Sequence, residues 1–293
     1  MMRSMGRPVR SLITALAVGF LALAGWALLR RPAPEPSYGA KPLSDWLIQL
    51  EDSDNHVERD YAASAVRHIG TNGIPTLLRM MRSKESPITT ELLAWRHGWY
   101  SPFDFFSPFL NRYIFGGPSD IVVRAQAGFI ALGPSAATAV PELSKILDQN
   151  LSAKYTSRTV RVLGKIGPAA KAAVRSLLRA AASTNNGDHY DEFVSIGEIH
   201  AEPDSVVPFL IGVMSNVPAD RMYAVHVLGQ FGGAAKSAVP SLLALLSDPN
   251  FKSDHQYGYK LLSDRDVVER ALEQIDPVTY AQVATNTAPA AKP

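Results

Sequence analysis

The chain has 293 residues, of which 46% are hydrophobic and 19% charged, a composition that is typical of folded globular proteins and excludes a disordered chain. Lys and Arg total 29 against 27 Asp and Glu, so the formal net charge is only +2 and argues against a nucleic-acid partner, because that binding needs a concentrated basic surface. The chain has 0 cysteines, which excludes disulfides, thiolate metal sites and cysteine nucleophiles.

The N-terminal segment is predicted to be a membrane anchor. No charged side chain lies between Arg10 and Arg30, and residues 12–29 would span roughly 27 Å as a helix, enough to cross the apolar core of a bilayer. Arginines before this run favour a cytoplasmic N-terminus, with the bulk of the chain on the periplasmic or outer side. We predict residues 1–31 as a signal anchor with a single transmembrane helix. The alternative is a cleaved signal peptide and a secreted protein, since Ala22-Leu23-Ala24 resembles a cleavage site.

Residues 32–42 and the C-terminal tail are predicted to lie outside the folded domain. The first segment contains Pro32, Pro34 and Pro36, which indicate an extended, semi-rigid linker. The last residues, 278–293, end in small, polar and proline residues and are predicted to be disordered. The folded domain is therefore predicted over 43–277.

Six segments between these ends share one pattern, in which an apolar residue precedes a glycine or its substitute. They are Ala62–Gly70, Ala125–Gly133, Thr159–Gly167, Glu192–His200, Ala224–Gly232 and Val268–Asp276. Apolar residues lie one and four positions before the end of each segment, which predicts one-sided helices with those residues in the core. The terminal glycine predicts a left-handed residue that closes the helix.

A second apolar segment follows each of the first five after a short turn of small residues, which predicts a second helix. These segments are Ile74–Met81, Val140–Leu147, Val174–Ala181, Val207–Met214 and Val239–Leu246. Four of them carry proline at their second residue, a position that suits the first turn of a helix. The central ends are 34, 33 and 32 residues apart, so the chain repeats a helix-turn-helix unit. An additional helix over Leu43–Leu50, capped by Ser44, is predicted to cover the first unit.

Units such as ALGPSAATAVPELSKIL at 131–147 and KIGPAAKAAVRSLLRAA at 165–181 resemble HEAT repeats, particularly the short type that also occurs in relatives of phycobilisome lyases. Their period is shorter than the roughly 40–47 residues typical of HEAT and armadillo units. The resemblance covers about Leu43 to Pro277. It implies an all-α fold, a right-handed α-solenoid of stacked repeats whose curved face binds protein partners. It implies no common catalytic residue.

The insertion at 84–119 does not match the repeat. Residues 95–115 hold 9 of the 25 aromatic residues of the chain. Aromatic side chains dominate binding hot spots and membrane belts, but they also fill cores, and both interpretations stay open with core filling favoured for most of the rings. The candidate partner-binding residues in this segment are Trp95, Trp99, Tyr100, Phe103, Phe105 and Phe106.

Chemistry-bearing motifs are weak in this sequence. No nucleophile, phosphate-binding or dinucleotide motif is present, so no enzyme, cofactor or metal is predicted. An acidic-histidine cluster could bind a divalent ion, although a solvated loop is favoured; it comprises Asp188, His189, Asp191 and Glu192, with His200, Glu202 and Asp204 downstream. Charges on the second helices either line one face of the stack or are ordinary solvated surface; they are Arg79, Lys145, Arg175, Arg179 and Lys236.

The sequence therefore predicts a membrane-tethered, non-catalytic scaffold for protein-protein interaction. Two alternatives remain. One is a lyase-like or ligand-binding HEAT protein of the bilin-lyase class, which the resemblance permits. The other is a lipid-binding or envelope-binding protein that uses the aromatic insertion.

Overall fold

The structure, a computed structural model, describes residues 35–83, 118–149, 153–183, 189–248, 251 and 263–287, and these are mostly helical. A short antiparallel hairpin, β1 (Ser37–Tyr38) and β2 (Lys41–Pro42), precedes the helices. The helices are α1 (Leu43–Asp52), α2 (His56–Ile69), α3 (Ile74–Met81), α4 (Pro118–Leu132), α5 (Val140–Asp148), α6 (Ala153–Ile166), α7 (Val174–Ala181), α8 (Tyr190–Ile199), α9 (Pro203–Asn216), α10 (Arg221–Phe231), α11 (Val239–Ser247), α12 (Asp264–Ile275) and α13 (Pro277–Thr287).

The repeated pattern predicts the helix pairs and their buried faces correctly. The pairs are α2 with α3, α4 with α5, α6 with α7, α8 with α9, and α10 with α11; we call the earlier member of each pair, and α12, a first helix and the later member a second helix. The residues four positions before each predicted helix end are all buried at 0–1% exposure: Val66, Phe129, Leu163, Ile196, Leu228 and Leu272. The apolar periodicity of the sequence is therefore the periodicity of the core.

Successive pairs pack on one another in chain order. The first helices α4, α6, α8, α10 and α12 each contact the next in the series, and among the second helices α5 contacts α7 and α7 contacts α9. One cluster of buried apolar residues runs from Leu43 in α1 to Ile275 in α12. Each pair completes its burial against its neighbours, so the core is continuous along the stack.

The small-residue turns of the sequence are short 3₁₀ helices in four of the five pairs, at Gly70–Gly73, Gly133–Ala139, Gly167–Ala173 and Gly232–Ala238. Alanines within the three longer ones are buried at 0% exposure and form part of the core; they are Ala136, Ala139, Ala170, Ala173, Ala235 and Ala238. The turns are thus packed structural elements, and the small side chains let the backbone approach the neighbouring unit.

The positive φ expected of the helix-ending glycines is present at these four turns, although the ψ of Gly70 and Gly232 lies outside the left-handed helical region. Gly232 has φ 52° and ψ −135°, a combination that a Cβ atom excludes. His200 takes the equivalent place in the α8–α9 pair with φ 49° and ψ 48°, the left-handed helical region that other residues can adopt. In this pair α9 begins at Pro203 without a 3₁₀ segment, so Pro208 lies inside the helix and the predicted first-turn position is wrong for this unit. The His200 ring stacks on Phe231 with 4.7 Å between centroids.

The described part of the predicted extended linker, residues 35–42, packs against helices α1 and α2. This corrects the prediction of an extended linker for these residues. Trp46 Nε1 donates to the Tyr38 carbonyl at 3.1 Å, and Tyr38 stacks on His68 at 4.7 Å. Ser44 is also not the predicted cap, because α1 begins one residue earlier at Leu43. Instead, the Glu35 carboxylate accepts from the Ser44 backbone N–H at 2.7 Å and from Ser44 Oγ at 3.0 Å, and so caps the helix from outside it.

The predicted disordered tail is wrong for residues 278–287, which belong to helix α13 (Pro277–Thr287) packed on α12. Asp276 begins this helix, since its carboxylate accepts from the Thr279 backbone N–H at 3.3 Å and from Thr279 Oγ1 at 2.8 Å. Tyr280 and Val283 pack partly buried against the core. Helix α12, the last of the first helices, therefore also packs against a following helix, α13.

Within the described ranges, no helix combines the length and the apolar composition needed to span a membrane. The predicted transmembrane helix at residues 12–29 lies outside those ranges.

Candidate functional site

The candidate aromatic residues lie in a segment that the structure does not describe. Trp95, Trp99, Tyr100, Phe103, Phe105 and Phe106 all belong to residues 84–117. In the sequence, that segment lies between α3 and α4.

The structure does place several of the predicted charged residues on one side of the stack. We call this surface the second-helix face and define it by the exposed or half-buried residues Arg79, Arg82, Glu142, Lys145, Asp148, Lys171, Arg175 and Arg179. Helix α7 shows why they point outward: Val174, Leu177 and Ala181 are buried, which leaves Arg175 and Arg179 toward solvent.

Salt bridges connect successive second helices along this face. Arg82, just after α3, pairs with Glu142 of α5, and Glu142 also accepts from Lys145 Nζ at 2.6 Å. Asp148, at the end of α5, lies 3.1 Å from the Arg179 guanidinium of α7. The hydrogen bond from Lys145 is the largest of the effects that hold the pKa of Glu142 below its usual value, followed in the same direction by the charge of Lys145 and by Arg82. The Glu142–Lys145 pair lies within α5, whereas the Arg82–Glu142 and Asp148–Arg179 pairs form only when neighbouring units stack.

Two open grooves lie on the second-helix face. The first, of about 560 Å³, is lined by Pro75 and Leu78 with Arg79, Arg82 and Glu142. The second, of about 540 Å³, lies between α7 and the start of α9. Cationic and polar residues dominate its lining, among them Lys171, Arg175, Ser176, Arg179, Glu202 and Ser205. Guanidinium groups present several N–H donors in a fixed plane, so such grooves suit carboxylates or other anions on a ligand.

The first-helix side of the stack carries its own ion pairs. Arg161 of α6 lies 2.7 Å from Asp191 of α8, and Lys165 of α6 pairs with Glu198 of α8. These contacts also join neighbouring units, but exposed pairs of this kind contribute only about 0–1 kcal/mol each to stability.

The predicted acidic-histidine cluster is not assembled as a metal site. His189 points to Asp220 and to the Ser183 carbonyl, whereas Asp191 accepts from Ser157 and pairs with Arg161. In the part of the chain that the structure describes, no group of three or more His, Asp or Glu side chains is placed to hold a metal ion.

His189 and Asp220 form a buried pair instead. His189 Nδ1 lies 2.9 Å from Asp220 Oδ2, and Nε2 lies 2.7 Å from the carbonyl oxygen of Ser183. Both ring nitrogens therefore face acceptors, which favours the doubly protonated ring. Burial lowers the pKa of His189, but the hydrogen bonds to Asp220 and Ser183 and the charges of Asp220 and Glu192 together raise it above its usual value. The pair ties the α7–α8 connection to the start of α10. Asp220 could not be predicted as the partner of His189, because nothing in the sequence pattern relates positions 189 and 220.

This pair predicts that the stability of the stack depends on pH. Since the folded-state pKa of His189 is raised, its contribution is fully present below the unfolded value of about 6.5 and is lost as the pH rises through the folded value. We expect the midpoint of unfolding of the wild type in guanidinium chloride, followed by circular dichroism, to decrease between about pH 6 and about pH 9. The decrease is expected to be larger than that of His189→Leu over the same range. Equal pH dependence in the two proteins would contradict the protonated pair.

No protein-family model, curated protein sequence or solved structure matches the chain. The chemistry of the second-helix face is therefore the basis on which a function can be proposed.

Proposed function

We propose that the protein is a membrane-tethered scaffold that binds a protein partner on its second-helix face and has no catalytic activity of its own. The observation that carries the proposal is the row of charged side chains across α3, α5 and α7, held in register by a continuous buried core. A rigid, extended surface of this kind favours recognition of a partner along its length.

The proposal includes the type of repeat, the handedness of the stack and the membrane anchor. We propose a right-handed solenoid of HEAT-like units, supported by the helix pairs, the glycine turns and the consecutive packing of units. The apolar run at residues 12–29 supports a single N-terminal anchor, with the solenoid on the extracytoplasmic side. The anchor would keep the binding surface close to the membrane.

The pairing pattern favours a scaffold over a lyase-like enzyme. Glu142 and Asp148 of the second-helix face pair with cations of the same face. Side chains arranged in this way along an open surface suit recognition, whereas catalysis usually requires polar groups that converge in an enclosed pocket.

Affinity capture after cross-linking in native membranes tests the proposal. We would compare the full-length protein with a variant whose residues 95–109 are replaced by a Gly/Ser segment of equal length, after confirming equal thermal unfolding. We expect the full-length protein to capture a specific protein. Loss of that protein from the variant would place part of its contact in the aromatic insertion, and its retention would place the contact on the described stack. Capture of no protein by either form would contradict the scaffold.

The lipid-binding alternative has a separate readout. The double substitution of Phe103→Ser and Phe106→Ser would abolish liposome binding by the insertion without changing the thermal transition if these rings contact lipid. Loss of the thermal transition instead would show that the rings belong to the core.

A further inference from the structure

Arg175 departs from the repeat at a position where the other units agree. The second residue of the repeated second segment is proline in four units, at Pro75, Pro141, Pro208 and Pro240, and arginine only at Arg175. All five residues are exposed. At Pro75, Pro141 and Pro240 the proline lies in the first turn of a helix, where its φ is fixed near the helical value and no hydrogen bond is lost, and at Pro208 it is accommodated inside α9. The fold therefore does not require an arginine at this place.

Arg175 belongs to a row of three cations that line the groove between α7 and α9. Lys171, Arg175 and Arg179 are spaced by four residues, so they lie along one side of the 3₁₀ segment and α7. Arg179 is held by Asp148 at 3.1 Å and donates to Ser176 Oγ at 3.2 Å.

The other two cations of this row are available for a ligand. Lys171 and Arg175 form no salt bridge with any residue in the described ranges. Glu202 is the acidic side chain that lines the groove beside them. Because Asp148 compensates Arg179, the charges of Lys171 and Arg175 stand against Glu202, and the groove keeps an excess of positive charge.

The spacing of the cations fits an extended acidic peptide. Residues four apart in a helical segment are separated by roughly 6 to 8 Å along its axis. Side chains two apart on one face of an extended strand are separated by roughly 6.6 Å. Acidic residues at alternate positions of an extended segment would therefore match successive cations of the row.

We propose that the groove lined by Lys171, Arg175 and Arg179 binds an extended segment of the protein partner with acidic residues at alternate positions. This inference rests on the proposed scaffold function and specifies the chemistry of its partner. Lys171 and Arg175 supply positive charge that no acidic residue of the described ranges pairs with, and Ser176 and Ser205 supply further hydrogen-bonding groups in the groove.

Fluorescence anisotropy with the full-length protein in mild detergent tests the groove. The probe is a fluorescein-labelled peptide of eight alternating Glu and Thr residues, and the control peptide has Gln in place of each Glu. We expect only the Glu peptide to bind, with an affinity that falls as salt concentration rises. Loss of either cation is expected to weaken binding by about two- to fivefold, the effect of an exposed ion pair.

The chain itself offers matched variants. Arg175→Pro restores the residue of the other four units, Lys171→Ala introduces the alanine that the preceding unit has at Ala137, and Arg175→Lys keeps the charge. Lys236→Ala removes a lysine at the same repeat position in the α10–α11 pair and is the control. We expect weakened binding for Arg175→Pro and Lys171→Ala, near-normal binding for Lys236→Ala, and partial retention for Arg175→Lys. Arg175→Gln replaces Arg175→Pro if the latter changes thermal unfolding.

Several results would overturn the proposal. They are equal binding of the Gln peptide, unchanged binding by both Arg175→Pro and Lys171→Ala, or a groove-dependent affinity for phosphatidylglycerol vesicles with no affinity for the Glu peptide. The proposed scaffold function and the proposed groove contact can be refuted independently of each other. A partner captured equally by wild type and Arg175→Pro supports the scaffold and overturns the groove as its contact. Groove-dependent peptide binding without any captured partner supports the acidic ligand class and contradicts the scaffold.

Discussion

Replacing Phe129 with alanine is expected to lower the free energy of unfolding by about 3–5 kcal/mol, the range for large aromatic residues in a packed core. Phe129 is 0% exposed in α4, a helix that contacts α1, α2, α3 and α6. Truncation leaves a cavity that none of these helices can fill without losing contacts elsewhere. Because each unit is stable only against its neighbours, the loss is expected to weaken both sides of α4.

The adjacent residue provides the control for this prediction. Ile130 is 41% exposed on the same helix, so Ile130→Ala is expected to change stability by no more than about 0.5 kcal/mol. Guanidinium unfolding of the full-length protein in detergent, followed by far-ultraviolet circular dichroism, measures both changes. Similar shifts for the two variants would show that Phe129 is not a core residue.

Replacing His189 with leucine is expected to cost about 3–5 kcal/mol, because it leaves a buried carboxylate without its partner. The side chains of His189 and Asp220 are only 10% and 7% exposed, and their nearest atoms lie 2.9 Å apart. The substitution therefore removes the hydrogen bond that compensates for the burial of the Asp220 charge. We expect the same unfolding experiment to show a large decrease in the denaturant midpoint.

The double variant His189→Leu with Asp220→Leu separates the pair from simple loss of packing. Removing both polar groups together is expected to be less destabilising than His189→Leu alone, since no buried charge remains unpaired. His56, which is exposed on α2, provides the surface control His56→Leu. If the double variant is less stable than the single one by the full cost of Asp220→Leu alone, the two side chains do not interact energetically.

The repeated helices could be predicted because the apolar residues that repeat with helical periodicity are the residues that form the core. Apolar residues one and four positions before each turn, such as Leu163 and Ile166, mark the buried face, and the turn glycine marks the end of the helix. The bounds of α3 and α7 coincide with the predicted segments Ile74–Met81 and Val174–Ala181.

Other elements depend on contacts that the sequence pattern does not display. Pro277 directly follows Asp276, the C-cap of α12, and also begins α13, because Asp276 caps the new helix through Thr279. The proline-rich linker contains a hairpin that is stabilised by contacts of Tyr38 with Trp46 and His68, residues of two separate helices. Local composition indicates an extended linker, and tertiary packing overrides it.

The candidate site could be predicted only in part. Helical periodicity places Arg79, Lys145 and Arg179 on the exposed side of the second helices. Glu142 lies three residues before Lys145 in the same helix, a spacing that the sequence does display. The contacts of Glu142 with Arg82 and of Asp148 with Arg179, and the grooves, depend on how neighbouring units stack. Lys171 was missed because it lies in a turn that was not predicted to be helical, where a four-residue spacing to Arg175 carries no meaning.

Site-specific photo-cross-linking in native membranes is the most direct test of whether a protein partner binds the second-helix face. A benzoylphenylalanine at Ala172, an exposed residue of the groove lining, would be compared with one at Tyr61, which is 57% exposed on the first helix α2. If a partner binds this face, we expect discrete protein adducts from position 172 and none from position 61. Adducts from position 61 alone, or from neither position, would contradict it.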